Sequence, residues 1–325
     1  MTGLVLFACL VFFGADASGQ ERVQISYSSV EAPNANWYIA QDRKLYQKYG
    51  VDAESIYIPS STTVINAIIG GSIKLGNGSG GAIANAAVAG ANVVAVASFI
   101  NTLPYELVVQ ESIKSAADLK GKVVGIARLG SSSDVAARVL LRGLGLDPDK
   151  DVAIVQSGSG AERVAAFRGG RVAAFPSPPG VIHLAKGIPH RVIISTADLP
   201  KSLPFPYASL TTTKSYLASH RETVKRVLMA LIEGSHFFKT RKEESKRLLA
   251  KYSKQNNEAF LEGSYLGNEP IYEKVPYMNR EGMEIQIKEA LTRRPGFTLK
   301  YEDVVDESLV VQLEKEGFIQ KLYKQ

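Results

Sequence analysis

The chain has 325 residues, of which 45% are hydrophobic, and its formal net charge is +6. This length is sufficient for two lobes, and the basic balance admits nucleic acid, a membrane surface or an anionic ligand as a partner. No Lys/Arg-rich run is interleaved with aromatic residues, which argues against nucleic acid. Beyond the N-terminus, no stretch has the length and apolarity of a transmembrane helix.

The N-terminus has the pattern of a secretory signal. Residues 4–13 form an apolar segment too short to span a bilayer, and Ala15-Asp16-Ala17 supplies an A-x-A cleavage site. We therefore predict a signal peptide over 1–17 and a periplasmic location. Cys9 lies inside the apolar segment, so a lipid anchor is not expected. Because Cys9 is the sole cysteine, the mature chain would lack disulfides, thiolate metal sites and cysteine catalysis.

Short apolar runs alternate with helical patterns along the first two-thirds of the chain. The predicted strands are 23–27, 53–58, 73–75 and 93–99, and the predicted helices are 36–49, 62–69 and 82–89. Strand–helix alternation of this kind indicates an α/β fold with largely parallel sheets. The last third is predicted to be mostly helical, with one apolar helical face formed by Val224, Val227, Leu228, Leu231 and Ile232.

Two segments follow the same plan. In "YIPSSTTVINAIIGGSIKLGNGSGGAIANA" and "VQSGSGAERVAAFRGGRVAAFPSPPGVIHLA", a strand leads through a serine-bearing turn to a short helix that ends in Gly-Gly. Two similar α/β units suggest two facing lobes. In open α/β sheets, ligands bind outside the carboxyl ends of the strands. The turns at 60–62, 78–81, 130–133 and 177–179 occupy that position, so we expect them to line one cleft.

The turn "GSSSD" at 130–134 opens a predicted helix. The first N–H groups of a helix have no intrahelical partner, and they favour anions or carbonyl oxygens. The turn lacks the lysine of a P-loop and the glycines of a dinucleotide-binding loop. Ser131 and Asp134 also resemble a capping box, so helix capping and ligand binding remain alternatives for Ser131.

No catalytic constellation stands out. His183, His190, His220 and His236 have no metal-ligand spacing, and there is no G-x-S-x-G nucleophile motif. No metal or other cofactor is therefore predicted. A binding protein fits these observations better than an enzyme.

The stretches "GGSIKLGNGSGGAIANAAVAGANVVAVAS", "SIKSAADLKGKVVGIARLGSSSD" and "AERVAAFRGGRVAAFPSPP" resemble substrate-binding proteins of nitrate/sulfonate/taurine ABC importers, with thiamine-pyrimidine enzymes in the same superfamily. The resemblance implies a type II periplasmic-binding-protein fold, in which two hinge strands near 106–110 and 207–211 join two α/β lobes. Lobe 1 would comprise 22–106 and 207–325, and lobe 2 would comprise 107–206. The implied protein is a monomer that delivers a small solute to a permease and an ATPase.

Under this hypothesis, the ligand is a small organic molecule that carries an anionic or carbonyl group. The candidate ligand-binding residues are Trp37, Ser61, Thr62, Ser79, Gly80, Arg128, Ser131, Ser132, Ser133 and Ser177. Two alternatives stay open. One is a decarboxylase- or dehydratase-like enzyme of the same fold, for which Glu31, Arg128 and Asp134 are the titratable candidates. The other is an extracellular sensor module.

Overall fold

Two five-stranded sheets organise the computed structural model, which describes residues 22–199 and 203–324. The strands are β1 (Val23–Tyr27), β2 (Ala53–Tyr57), β3 (Leu75–Gly78), β4 (Val93–Thr102), β5 (Glu106–Gln110), β6 (Val123–Ile126), β7 (Ala153–Gln156), β8 (Ala174–Ser177), β9 (His190–Ser195) and β10 (Pro204–Thr213). The first sheet has the order β2-β1-β3-β10-β4, and the second has the order β7-β6-β8-β5-β9. The predicted signal peptide and Cys9 lie outside the described residues.

Helices cover the sheets and make up most of the C-terminal third. They are α1 (Ala35–Asp42), α2 (Leu45–Lys48), α3 (Ser61–Ile69), α4 (Gly80–Val88), α5 (Ala116–Leu119), α6 (Ser132–Gly143), α7 (Gly160–Arg168), α8 (Lys214–Ser219), α9 (Arg221–Thr240), α10 (Lys242–Ser253), α11 (Glu258–Asn268), α12 (Arg280–Leu291), α13 (Ser308–Lys315) and α14 (Phe318–Leu322). The apolar face predicted on α9 is buried. Among the helices described, none combines the length and apolarity needed to cross a membrane.

The two sheets have the same design. In the first, β1 lies between the parallel strands β2 and β3, and in the second, β6 lies between the parallel strands β7 and β8. Each sheet is completed by antiparallel strands. The fold is therefore the predicted type II periplasmic-binding-protein architecture. We call the first sheet with its helices the first lobe, and the second sheet with its helices the second lobe.

The Gly-Gly pairs that relate the two predicted units end equivalent helices. Gly71 follows α3 with φ of 78°, and Gly170 follows α7 with φ of 69°. This left-handed conformation favours glycine just beyond a helix end, where it allows the chain to turn back to the next strand. The weak internal repeat in the sequence thus has a structural counterpart.

The chain crosses between the lobes twice. It passes from β4 to β5 through residues 103–105, and it returns between β9 and β10. The hydroxyl groups of Tyr105 and Tyr207, one beside each crossing, are 2.9 Å apart. The proposed hinge segments lie in β5 and β10, and each crossing precedes the strand that contains the segment.

Two predicted elements differ from the structure. The helix predicted over 36–49 is divided into α1 and α2, because Lys44 adopts a left-handed φ of 55°. This turn redirects the chain and lets Leu45 and Tyr46 be buried. The strand predicted at 73–75 instead begins at Leu75, as β3. The glycines of β3 had suggested a turn in the sequence. A Cβ atom at Gly76 would lie 2.5 Å from the Val64 side chain, so glycine is needed there for close packing.

Candidate functional site

A polar cleft lies between the lobes, at the carboxyl ends of β1, β2 and β6. The space inside it that a water-sized molecule can reach is about 40 Å³. Its walls come from both lobes and from the two crossings, and they consist of Ser28, Ser29, Glu31, Asn34, Tyr57, Ser60, Ser61, Tyr105, Ala127, Ser131, Ser132, Ser133, Ser159, Gly160, Arg163 and Tyr207. The beginnings of α3, α6 and α7 all reach this cleft, so three helix N-termini direct partial positive charge toward it.

The three consecutive serines line this cleft, but they have different hydrogen bonds. The Ser133 hydroxyl accepts a hydrogen bond from the backbone N–H of Ala127 at 2.8 Å. Ser131 and Ser133 hydroxyls are 3.0 Å apart. Ser132 is the least constrained, because among the described residues its hydroxyl approaches only the Tyr105 hydroxyl, at 3.5 Å. Hydroxyl groups can both donate and accept, so this wall suits an anionic or carbonyl head group.

The capping box that Ser131 and Asp134 resemble in sequence, one of the two alternatives for this turn, does not form. Ser131 precedes α6, but its hydroxyl accepts no hydrogen bond from the backbone N–H groups in the first turn of the helix. The Asp134 carboxylate instead accepts the Gly130 N–H at 2.7 Å and pairs with Arg138 at 2.9 Å. Asp134 is buried in these contacts and is not part of the cleft wall. It therefore does not oppose an anion in the cleft.

Glu31 and Arg163 are the charged side chains in the cleft wall. Glu31 follows β1 in the first lobe, and its carboxylate accepts the N–H of Gly160, the first residue of α7, at 3.2 Å. Burial is the main cause that raises the pKa of Glu31 above its ordinary value, and the nearby Arg163 guanidinium opposes the shift. Arg163 is 3% exposed and donates from Nη1 to the Gly158 carbonyl at 2.9 Å.

Two polar atoms of the cleft wall are buried without a hydrogen-bond partner among the described residues. They are the Ser60 hydroxyl and the Nε of Arg163. Ser60 also has a φ of 79°, a left-handed conformation that strains a residue with a Cβ atom. A buried polar group without a partner is unfavourable, and a bound ligand would provide one. A strained residue, Ser60, and two polar atoms without a hydrogen-bond partner among the described residues therefore occur together in this cleft.

A buried amide fixes the first-lobe wall. The Asn34 side-chain oxygen accepts hydrogen bonds from the Ser28 N–H at 3.0 Å and from the Asn77 side chain at 2.9 Å. Asn77 also donates to the Ser28 hydroxyl at 2.7 Å. This network joins the turn after β1 to β3, and it holds the segment that presents Glu31.

Three of the other candidate residues support the wall from behind or join the lobes. The Ser79 hydroxyl is 2.9 Å from that of Ser61, which does line the cleft. Thr62 donates to the carbonyl of Leu129 at 3.1 Å and so joins α3 to the second lobe. Gly80 begins α4, where a Cβ atom would lie 3.1 Å from Pro206.

The remaining candidates lie away from the cleft. Trp37 is fully buried in the hydrophobic core, so it is not the apolar wall that we expected. Arg128 lies beside Gln156 and Glu162 in a separate surface depression of the second lobe. Ser177 is buried, and its hydroxyl donates to the adjacent Pro178 carbonyl at 3.2 Å.

Sequence reasoning missed Arg163 and the tyrosines as cleft residues. Arg163 lies one turn into α7, within the second serine-bearing repeat, so the repeat was the available signal. Tyr57, Tyr105 and Tyr207 occur in or beside apolar strands and read as core residues. Burial raises the pKa of each hydroxyl, and the negative charge of Glu31 adds to all three shifts.

Comparison with known proteins identifies the family. A family model described as "NMT1/THI5 like" matches residues 32–245. The chain belongs to this family. A Brucella abortus protein named "Putative binding protein" is 27% identical over 248 residues, which is 75% of each chain.

Solved structures share the fold at low sequence identity. The alkanesulfonate-binding protein SsuA from Xanthomonas axonopodis pv. citri, bound to MOPS, has a TM-score of 0.73 and 20% identity, over 88% of this chain and 98% of that one. The periplasmic nitrate-binding protein NrtA from Synechocystis PCC 6803 has a TM-score of 0.75 and 16% identity, over 91% and 88% of the two chains. At these identities the likeness describes the fold and not the ligand.

Proposed function

We propose that this protein is an extracytoplasmic solute receptor that delivers a small polar organic molecule to an ABC importer. The observation that carries the proposal is the interlobe cleft, where the Ser60 hydroxyl and Arg163 Nε are buried in a wall built from both lobes and have no partner in the part of the chain that the structure describes. Ligand sites concentrate in concave regions where a few polar groups converge. The family and the names of its structural neighbours support the same function.

The ligand would contact both lobes at once. From the second lobe, Ser131, Ser132 and Ser133 would hold an anionic or carbonyl group together with Arg163. From the first lobe, Ser60 and Ser61 would complete the site, because they line the same cleft. A ligand that bridges two lobes favours their closed arrangement, because it gains all of its contacts only when they meet.

The remaining parts of the proposal concern location and partners. The predicted signal peptide over 1–17 would direct the protein to the periplasm. There it would act as a monomer and pass its solute to a membrane permease that an ATPase subunit drives. N-terminal sequencing of exported material should find a start near Ser18, and light scattering should give the mass of one chain.

Native mass spectrometry of protein purified without refolding is the most direct test. We expect a co-purified small molecule whose removal and re-addition change the radius of gyration in small-angle scattering. The radius should be smaller with the ligand, because the lobes close on it. If no small molecule from a broad metabolite library binds or alters the radius, the receptor proposal is wrong.

An enzyme acting on a small organic acid is the second candidate. It is favoured by one observation, the raised pKa of Glu31 in the cleft, since such perturbed acids occur at catalytic sites. The two functions differ in what happens to the bound molecule. A turnover assay on the co-purified compound, followed by mass spectrometry, would return it unchanged from a receptor and altered from an enzyme.

A further inference from the structure

The outer edge of β7 is open. This strand ends the second sheet, and it pairs with β6 on its inner side. The N–H groups of Ala153 and Ser157 donate toward β6, at 2.9 and 2.7 Å. Because backbone groups alternate in direction along a strand, the N–H groups of Ile154 and Gln156 point away from β6. No other strand of the described residues pairs with that edge, so it is able to accept one.

β7 also lacks the features that usually keep an edge strand from pairing. Those features are charged residues, proline and coverage by another segment. Among the other edge strands, β2 contains Glu54 and β9 contains Arg191. β4 is covered at two positions by isolated bridges to Val305 and Tyr272. The sequence of β7 is AIVQ, and its Val155 is 37% exposed. An extended segment can add to an uncharged, uncovered edge of this kind.

A groove lies beside this edge, and we call it the β7 groove. The space inside it that a water-sized molecule can reach is about 520 Å³, against about 40 Å³ in the interlobe cleft. The groove is lined by Val155 and Gln156 of β7, by Ala165 and Ala166 of α7, and by Arg128 and Arg171. Because the alanine side chains are small, they leave room for a chain segment next to β7.

The β7 groove is positively charged. Neither the Arg128 nor the Arg171 guanidinium forms a hydrogen bond or an ion pair within the part of the chain that the structure describes. Glu162 also lines the groove, and its carboxylate accepts the Ser159 N–H at 2.6 Å. Two guanidiniums and one carboxylate leave a net positive charge, which favours an acidic partner.

The two arginines flank β7. Arg128 lies two positions after the last residue of β6, and Arg171 lies three positions before the first residue of β8. Because β6, β7 and β8 are parallel, these arginines come from opposite ends of the sheet. A strand added along β7 would therefore have a guanidinium near each of its ends. Edge-to-edge pairing of two copies would bring two positive grooves together, so the charge favours an acidic segment over a second copy.

We infer that the β7 groove binds an extended, acidic segment of another protein, which adds as a strand to the open edge of β7. Backbone hydrogen bonds with Ile154 and Gln156 would supply the pairing, and Arg128 and Arg171 would select acidic residues near the ends of the segment. The groove lies outside the interlobe cleft. The inference therefore goes beyond the proposed receptor function and does not depend on it.

Two capped peptides test the inference in NMR titrations of the full mature chain at low salt. One is Glu-Thr-Val-Thr-Val-Thr-Glu, and the other has lysine in place of both glutamates. We expect the acidic peptide to bind about tenfold more tightly, because exposed charge pairs contribute a few-fold each and like charges repel. Binding should shift the amide signals of Ile154 and Gln156 and slow their hydrogen exchange.

Two substitutions at one position separate backbone pairing from side-chain contact. Gln156→Pro removes an outward N–H group, a change that an edge strand tolerates, and should weaken binding of the acidic peptide at least about fivefold. Gln156→Ala keeps the N–H group and should bind like the parent. Arg128→Gln and Arg171→Gln should each weaken binding by up to about fivefold. Thermal unfolding establishes that each variant is folded, and the arginine variants decide the test if Gln156→Pro does not fold.

Several outcomes overturn the inference. They are no binding of the acidic peptide at millimolar concentration, equal binding of the two peptides, equal affinities of Gln156→Pro and Gln156→Ala, and amide shifts confined to the interlobe cleft. Self-association of the parent that Gln156→Pro abolishes would make the occupant a second copy, and it would also overturn the inference. Each of these results leaves the receptor proposal standing, because solute binding and lobe closure test that proposal separately.

Discussion

Truncation of Ser133 to alanine should lower stability more than truncation of its neighbour Ser132. The Ser133 hydroxyl accepts the Ala127 N–H at 2.8 Å, and its side chain is 2% exposed. Without that hydroxyl, the backbone donor at the end of β6 loses its partner in a partly buried place. Leaving such a group unsatisfied costs about 1–3 kcal/mol. Ser132 makes only a 3.5 Å contact with Tyr105, so its truncation should change stability by about 0.5 kcal/mol or less.

The two variants form a matched pair because both replace a serine in the first turn of α6. Any gain in helix propensity from alanine is similar in both and cancels in the comparison. Urea unfolding followed by circular dichroism gives the free energy of unfolding of each. We expect Ser133→Ala to be less stable than Ser132→Ala by about 1 kcal/mol or more. Equal stabilities would refute the structural role assigned to the Ser133 hydroxyl.

Three further substitutions test the contacts between the lobes. Gly160→Ala would place a Cβ atom 2.3 Å from the Glu31 carboxylate, so the Glu31 side chain must turn away from α7 and the affinity for the co-purified solute should fall; an unchanged affinity contradicts this. Burial raises the pKa of Glu31 above 4.5, so this acid stabilises the fold most below about pH 4.5 and less as the pH rises through the raised value. The stability of Glu31→Gln relative to the parent should therefore increase between about pH 4 and pH 7, and a constant difference would argue against a buried, perturbed acid. Thr62→Val removes the bond to the Leu129 carbonyl, which forms only when the lobes meet, and should weaken ligand binding about two- to tenfold; an unchanged dissociation constant would contradict a role in closure.

Local sequence patterns predicted most strands of the first lobe, because short apolar runs bounded by turns mark strands such as β1 and β4 that are largely buried. The strand predicted at 23–27 has the same bounds as β1. The errors came from glycine and from chain reversal. Gly76 and Gly78 lie inside β3 because neighbouring side chains leave no room for a Cβ atom, a tertiary constraint that a single strand does not reveal. Likewise, the left-handed conformation of Lys44 divides a helix that the apolar pattern presents as continuous.

The sequence predicted which turns line the cleft but not all of the side chains in its wall. Strand-end turns converge in an α/β sheet, so the placement of Ser61 and of Ser131 to Ser133 followed from topology. Placing Trp37 correctly requires knowing how α1 packs against the rest of the lobe, and in the structure this side chain is buried in the core. Arg163 lies beyond the turn, on a helix whose direction only the fold determines. Topology thus predicts which turns meet, but the side chains that enter the cleft depend on helix orientation.

The charge of the ligand must be inferred from the cleft and not from the whole chain. A net charge of +6 suggests an anionic partner, but exposed charges are largely screened beyond about 8 Å at physiological salt. Within the cleft wall, the carboxylate of Glu31 and the guanidinium of Arg163 cancel in formal charge. With Glu31 ionised, a simple anion would leave the closed cleft with a net negative charge; with Glu31 protonated, the same anion would leave it neutral. The protonation state of Glu31, and not the net charge of the chain, therefore decides which solutes the cleft accepts.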